Sequence, residues 1–131
     1  MITLTIPGKP LGKQRPRMTN WGIHTPKKTV NYETFVKELF VINECKKLVG
    51  YLSVSINAYY YIPKSTSKKD KELMKKNILR PDKKPDLDNI MKIVCDALNG
   101  FAYDDDKQII DACISKYYSD KPRVEITIKE I

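Results

Sequence analysis

Residues 84–100 read KPDLDNIMKIVCDALNG and residues 103–109 read YDDDKQI. In the first stretch Ile90, Met91, Ile93, Val94, Ala97 and Leu98 recur at the three- and four-residue intervals of a helix buried over a broad face. Pro85 disfavours helical backbone at Lys84, so the helix is expected after it, over Asp88–Leu98. Asn99-Gly100 is its natural exit, because both residues tolerate left-handed backbone. Asn89, Lys92 and Asp96 lie three and four apart and put a polar seam on this otherwise buried helix. The chain then turns through Phe101 and Tyr103 into Asp104-Asp105-Asp106.

Upstream, ITLTI at residues 2–6 has the β-branched character of a strand, stopped by Pro7-Gly8. Residues 8–29 carry three prolines and three glycines among basic residues, a density of breakers that predicts a long basic loop. Loops of that length in a compact domain tend to be functional or disordered, and Arg15, Arg17, Trp21 and His24 point this one to substrate contact. Phe35, Val36, Leu39, Phe40 and Ile42 predict an amphipathic helix over Tyr32–Leu48, closed by Gly50. Leu52, Val54, Ile56, Ala58 and Tyr60 alternate with polar neighbours and predict a half-buried strand ending near Pro63. Ser65–Asn77 is charged and predicts a short exposed helix. Ile109–Tyr118 and Val124–Ile128 read as closing strands. The fold class is therefore α+β: one compact domain, residues 1–131, with helices packed on a small mixed sheet.

The length of 131 residues suits a single core. With 41% hydrophobic and 31% charged residues, the balance is that of a globular protein rather than a disordered or membrane one. No apolar run reaches the length of a spanning helix and the N-terminal stretch has no export signal, so a cytoplasmic protein is expected. Three cysteines, Cys45, Cys95 and Cys113, are odd in number and too far apart for a short metal-ligand motif, which fits inert thiols in a reducing compartment. There is no GxxxxGK[ST], GxGxxG or GxSxG motif, so nucleotide and serine-hydrolase readings lose their usual support.

Charge is more informative. Twenty-four Lys and Arg against sixteen Asp and Glu give a net charge of +8, which favours an acidic partner such as nucleic acid. Lys9, Lys13, Arg15, Arg17, Lys27 and Lys28 occupy residues 9–28 with no acid among them. Yet Asp86, Asp88, Asp96, Asp104, Asp105, Asp106 and Asp111 all fall in the short span 86–111. Carboxylates gathered in this way repel one another without a cation, and Mg²⁺ accepts carboxylates plus waters in an octahedral shell. A divalent-metal site with Lys92 on the same helix face as Asp88 is the economical explanation; a set of solvated caps is the bland one. The span lacks the EF-hand ligand series for Ca²⁺, and His24, the only histidine, excludes a histidine-rich zinc site.

KPDLDNIMKIVCDAL followed by YDDDKQI resembles the RusA family of Holliday junction resolvases, small endonucleases often encoded by phages and prophages. The stretch GKPLGKQRPRMTNWGIHTPKKTVNYE is similar to the phage and Gram-positive branch. The resemblance implies that Asp86, Asp88 and Asp106 bind metal, with Asp105 replacing or assisting Asp106, and that Lys92 is the essential lysine. It places Asn89 in a supporting position, and Asp96, at a commonly acidic helix position, either supports Lys92, caps the structure or ligates the metal itself. It implies Mg²⁺-dependent hydrolysis of DNA phosphodiesters, with Mn²⁺ able to substitute, by a homodimer that nicks a four-way junction symmetrically and leaves ligatable ends. Arg15, Arg17, Lys68, Lys69, Lys75, Lys76, Lys83 and Lys84 are then the candidates for binding phosphates. Trp21, Tyr59, Tyr60, Tyr61 and Tyr103 are candidates for stacking on opened bases, with strand-face packing the alternative for Tyr59 and Tyr61. Three other functions fit the same residues: an inactive nucleic-acid-binding protein, a metal nuclease acting on flaps, forks or RNA, and a basic structural subunit.

Overall fold

The computed structural model describes residues 1–131 and has the expected α+β class. Strand β1 (Ile2–Pro7) leads through an irregular segment to a small hairpin, β2 (Arg17–Thr19) and β3 (Gly22–His24). Helix α1 (Lys27–Ile42), strand β4 (Leu52–Tyr61), helices α2 (Lys68–Lys75) and α3 (Leu87–Leu98), a 3-10 turn (Asp106–Gln108), and strands β5 (Ile109–Ser119) and β6 (Arg123–Glu130) follow.

The main sheet has the order β1-β6-β4-β5. The first three strands of that order pair antiparallel, whereas β4 and β5 run parallel. A parallel pair requires a crossover, which α2 and α3 supply. The register aligns the apolar positions of every strand in rows: Ile2, Ile128, Val54 and Ala112, then Leu4, Ile126, Ile56 and Ile114. Because strand side chains alternate between faces, these rows put the large aliphatics on one side. There they meet Tyr32, Val36 and Phe40 of α1 and Ile90, Ile93, Val94, Ala97 and Leu98 of α3 in one continuous core. Burying each aliphatic side chain contributes about 1.5–3 kcal/mol before the cost of ordering the chain.

Two expectations are corrected. Helix α1 begins at Lys27 and ends at Ile42, not over Tyr32–Leu48. Pro26, with φ −55°, precedes its first turn, and Glu44 at φ +55° breaks the backbone beyond its end. The stretch 8–29 is not all loop, since Arg17–His24 form the exposed hairpin, whose turn uses Gly22 at φ +114°. The Thr19 hydroxyl closes that turn by accepting from the Trp21 N–H and donating to the Gly22 carbonyl. Residues 8–16 remain irregular, with the Gly8 N–H donating to the Pro122 carbonyl and Gly12-Lys13 lying against the start of α3. No helix is long and apolar enough to cross a membrane.

Candidate active site

The site is built on α3. Tyr60, buried on β4, donates its hydroxyl to the Pro85 carbonyl at 2.7 Å and so fixes the entry to the helix. Asp86 occupies the N-cap with extended backbone, and its carboxylate makes no capping hydrogen bond, leaving it free for other partners. Burial and the nearby Asp86 charge push the Tyr60 phenol up to about 12. The Asp86 carboxylate faces a groove of about 400 Å³ shared with Lys9, Lys13, Gln14, Lys84 and Asn89.

Two residues on, Asp88 faces a second groove, of about 310 Å³. Lys92, Asp96 and Asp106 line it as well, over a floor that includes Met91, Cys95 and Ile109. Helical spacing brings Asp88, Lys92 and Asp96 to one side at intervals of four. Asp106 arrives from the acidic turn, which Tyr103 holds to the helix. Tyr103 is fully buried and donates its hydroxyl to the Cys95 carbonyl at 2.7 Å, while the Tyr103 carbonyl accepts from the Gly100 N–H at 2.8 Å.

The three aspartates of the turn have different partners. Asp104 pairs with Lys47 at 2.8 Å. Asp105 accepts from the Lys107 N–H at 3.0 Å and forms a reciprocal capping box with Gln108. That backbone hydrogen bond, first among its causes, lowers the Asp105 pKa, with a hydrogen bond to the Asp106 carboxyl adding to it. Asp106 is raised, by desolvation first and then by Asp105 and Asp96, with Lys92 opposing. Asp106 thus faces the groove as an acid whose ionisation a cation would favour.

No three acidic, histidine or cysteine side chains stand close enough to enclose one ion. Mg²⁺ does not need such a cage, since it keeps several waters and takes one or two carboxylates. The carboxylates of the second groove fit that hard cation. The groove does not fit zinc, because burial raises the Cys95 thiol to about 11, far from the thiolate that zinc binds.

Of the expected site residues, Asp88, Lys92, Asp96 and Asp106 share one groove, whereas Asp86 and Asn89 face the other. Arg15, Arg17, Lys68, Lys69, Lys75, Lys76, Lys83 and Lys84 are all exposed. Lys76 leans towards Glu72 at 3.9 Å, and Lys83 stands 5.5 and 5.7 Å from the ring centres of Tyr61 and Tyr118. Base stacking by Tyr60 and Tyr103 is ruled out by their burial. Tyr59 stacks instead on Tyr117 at 5.5 Å, and Arg123 and Arg80 cover the outer faces of the pair. Trp21 remains 89% exposed at the hairpin tip.

Lys13 was hidden in the sequence as one more basic residue of the N-terminal stretch. Its ammonium reaches Glu33 of α1 at 2.9 Å and Asp96 of α3 at 3.2 Å. Nothing in the spacing of residues 13, 33 and 96 signals that junction, which exists only once α1 and α3 pack together.

Residues 7–129 match the family model described as Endodeoxyribonuclease RusA. The chain is also similar to the uncharacterized protein YqaN of Bacillus subtilis (strain 168), 39% identical over 137 residues, covering 99% of this chain and 96% of that protein.

Proposed function

The chain belongs to the RusA endodeoxyribonuclease family, and from that membership and the grooves on α3 we propose that it resolves four-way Holliday junctions by paired, symmetric nicks. The observation that carries this reading is the placement of Asp88, Lys92, Asp96 and Asp106 around one open groove. Asp88 and Asp106, which line one groove, are the proposed metal holders, and Asp86, which faces the neighbouring groove, is a third acid that family membership proposes for cutting. Mg²⁺, or Mn²⁺ in its place, supplies there the activation of water and the polarisation of the phosphodiester.

The chain's own residues do the rest. Lys92, 62% exposed at its side chain, directs an ammonium at charge developing on a non-bridging phosphate oxygen. Lys9 and Lys84 flank Asp86 in the first groove and hold backbone phosphates beside the reacting one. The exposed Arg15, Arg17, Lys68, Lys69, Lys75, Lys76 and Lys83 extend this sequence-independent attraction to the arms of the substrate. Hydrolysis leaves a 5′-phosphate and a 3′-hydroxyl. A two-fold homodimer matches two such sites to two equivalent strands.

The test compares labelled four-way junction, fork, flap, linear duplex and RNA under Mg²⁺, with D86N, D88N and D106N alongside. Selective junction cutting that the three substitutions reduce at least about 100-fold, with binding retained, supports the proposal. Preferred cutting of flaps, forks or RNA makes the protein a different nuclease, and binding without any cut makes it an architectural DNA-binding protein.

A further inference from the structure

We propose that Lys13 is a positioning residue for Lys92, acting through a carboxylate oxygen that the two lysines share; this rests on the nuclease reading above. Asp96 Oδ2 lies 3.2 Å from Lys13 Nζ and 3.4 Å from Lys92 Nζ. Lys13 has a second acidic partner, Glu33, at 2.9 Å, whereas Asp96 is the acid paired with Lys92. The four side chains form a chain of alternating charge: Glu33, Lys13, Asp96, Lys92.

The two ends of that chain differ. Side-chain exposure is 15% at Glu33, 19% at Lys13 and 26% at Asp96, but 62% at Lys92. Charge attraction strengthens where water is excluded, so the Glu33–Lys13–Asp96 limb is the fixed one and the Lys92 end is adjustable. The backbone reinforces the fixed limb. The Lys13 N–H donates to the Asn89 carbonyl at 2.9 Å, about two turns before Asp96 on α3. Immediately before it, Gly12 lies so close to α3 that an added Cβ would meet Pro85 Cβ at 2.8 Å and Asn89 Cβ at 2.9 Å. Backbone and side chain together lock Lys13 onto the helix that carries Lys92.

Lys13 also stands at the boundary between the grooves: it lines the one that contains Asp86 and touches Asp96 of the one that contains Asp88 and Asp106. Its charge competes with that of Lys92 for the same Asp96 oxygen. Lys92 is therefore aimed by Asp96 without being neutralised by it, and the ammonium stays available to a phosphate. Without Lys13 the cluster gains a net negative charge, and Asp96 draws Lys92 back along the helix.

A mere staple between the N-terminal segment and the helices predicts lost stability. A positioning role predicts a slower chemical step at unchanged affinity. Single-turnover cutting of a synthetic four-way junction in Mg²⁺ is measured for the native protein, K13M, K13R, D96N and K13M/D96N, with junction affinity and melting temperature. The expected result is a loss of about tenfold in rate for K13M with affinity within about twofold, recovery in K13R, and no further effect of K13M in the D96N background. In parallel, lysine side-chain NMR of the metal-free, DNA-free protein should show K13M shifting the Lys92 signals, and K47M leaving them in place. Native cutting rates in K13M, equal losses of affinity and rate, or unmoved Lys92 signals overturn the inference. If the native protein cuts nothing in Mg²⁺ or Mn²⁺, the nuclease reading fails and the positioning role falls with it; the NMR arm then reports only whether the two lysines are coupled.

Discussion

Lys92 and Asp96, one turn apart on α3, approach to 3.4 Å between Nζ and Oδ2, yet Lys92 keeps most of its side chain in solvent. An exposed pair of this kind contributes about 0–1 kcal/mol to stability. Its interest is therefore directional, since Asp96 aims an ammonium into the groove that holds Asp88 and Asp106.

Replacement of Lys92 by Ala separates aim from stability. The melting temperature should stay nearly constant, junction affinity should change little, and the cleavage rate at saturating DNA should fall about 100-fold. Parallel losses of affinity and rate would instead mark Lys92 as a uniform phosphate binder.

Asp106 carries the opposite signature. Desolvation, Asp105 and Asp96 raise its pKa above the ordinary 3.8, so the folded state holds that proton more tightly than the unfolded one. Stability from this group is thus highest below 3.8, declines as pH rises through the raised value, and is at its lowest at neutral pH. Asp106→Asn should therefore raise the melting temperature of the metal-free protein at about pH 7, and the gain should vanish near about pH 3, while cutting is lost. Thermal melts across that range check the sign.

Gly12 tests the docking of the N-terminal segment. Its Cβ would collide with Pro85 and Asn89, so Gly12→Ala should cost about 1–3 kcal/mol by forcing the segment or the helix entry to move. Chemical denaturation gives the number directly. Gly8→Ala is the control for replacing a glycine, because an added Cβ meets nothing there, although its φ of +101° carries its own strain.

Much of the architecture was legible because it rests on periodicity. The alternation in Leu52–Tyr60 and the apolar spacing in Ile90–Leu98 each predicted their element, and Lys92 and Asp96 pair as helical spacing put them, while Asn89 turns to the other groove. The bounds of α1 were missed because they depend on Pro26 and on a left-handed Glu44 rather than on apolar spacing. The hairpin at Arg17–His24 carries no buried residue, so no hydrophobic pattern could announce it. Within the site, sequence could nominate the acids but not sort them. Asp105 is drawn into a capping box and Asp104 to Lys47, and both facts depend on how the turn folds. The separation of Asp86 from Asp88 into two grooves likewise follows from the helix entry at Pro85, which Tyr60 of β4 pins.

The exposed lysines before α3 make an electrostatic prediction. Lys83→Ala and Lys84→Ala should weaken junction binding similarly for every sequence and reduce the salt dependence of the logarithm of affinity by about 1 for each phosphate no longer neutralised. Titrations at several salt concentrations measure the slope. An unchanged slope would remove these two lysines from the DNA path.

Junction resolution by the α3 grooves is tested most directly by product mapping on a four-way junction labelled on each strand in turn, in Mg²⁺ and in chelator. The expected products are paired nicks at symmetric positions on opposing strands, sealed by ligase and absent in chelator. Cuts that are unpaired, or that persist without a divalent cation, would contradict it.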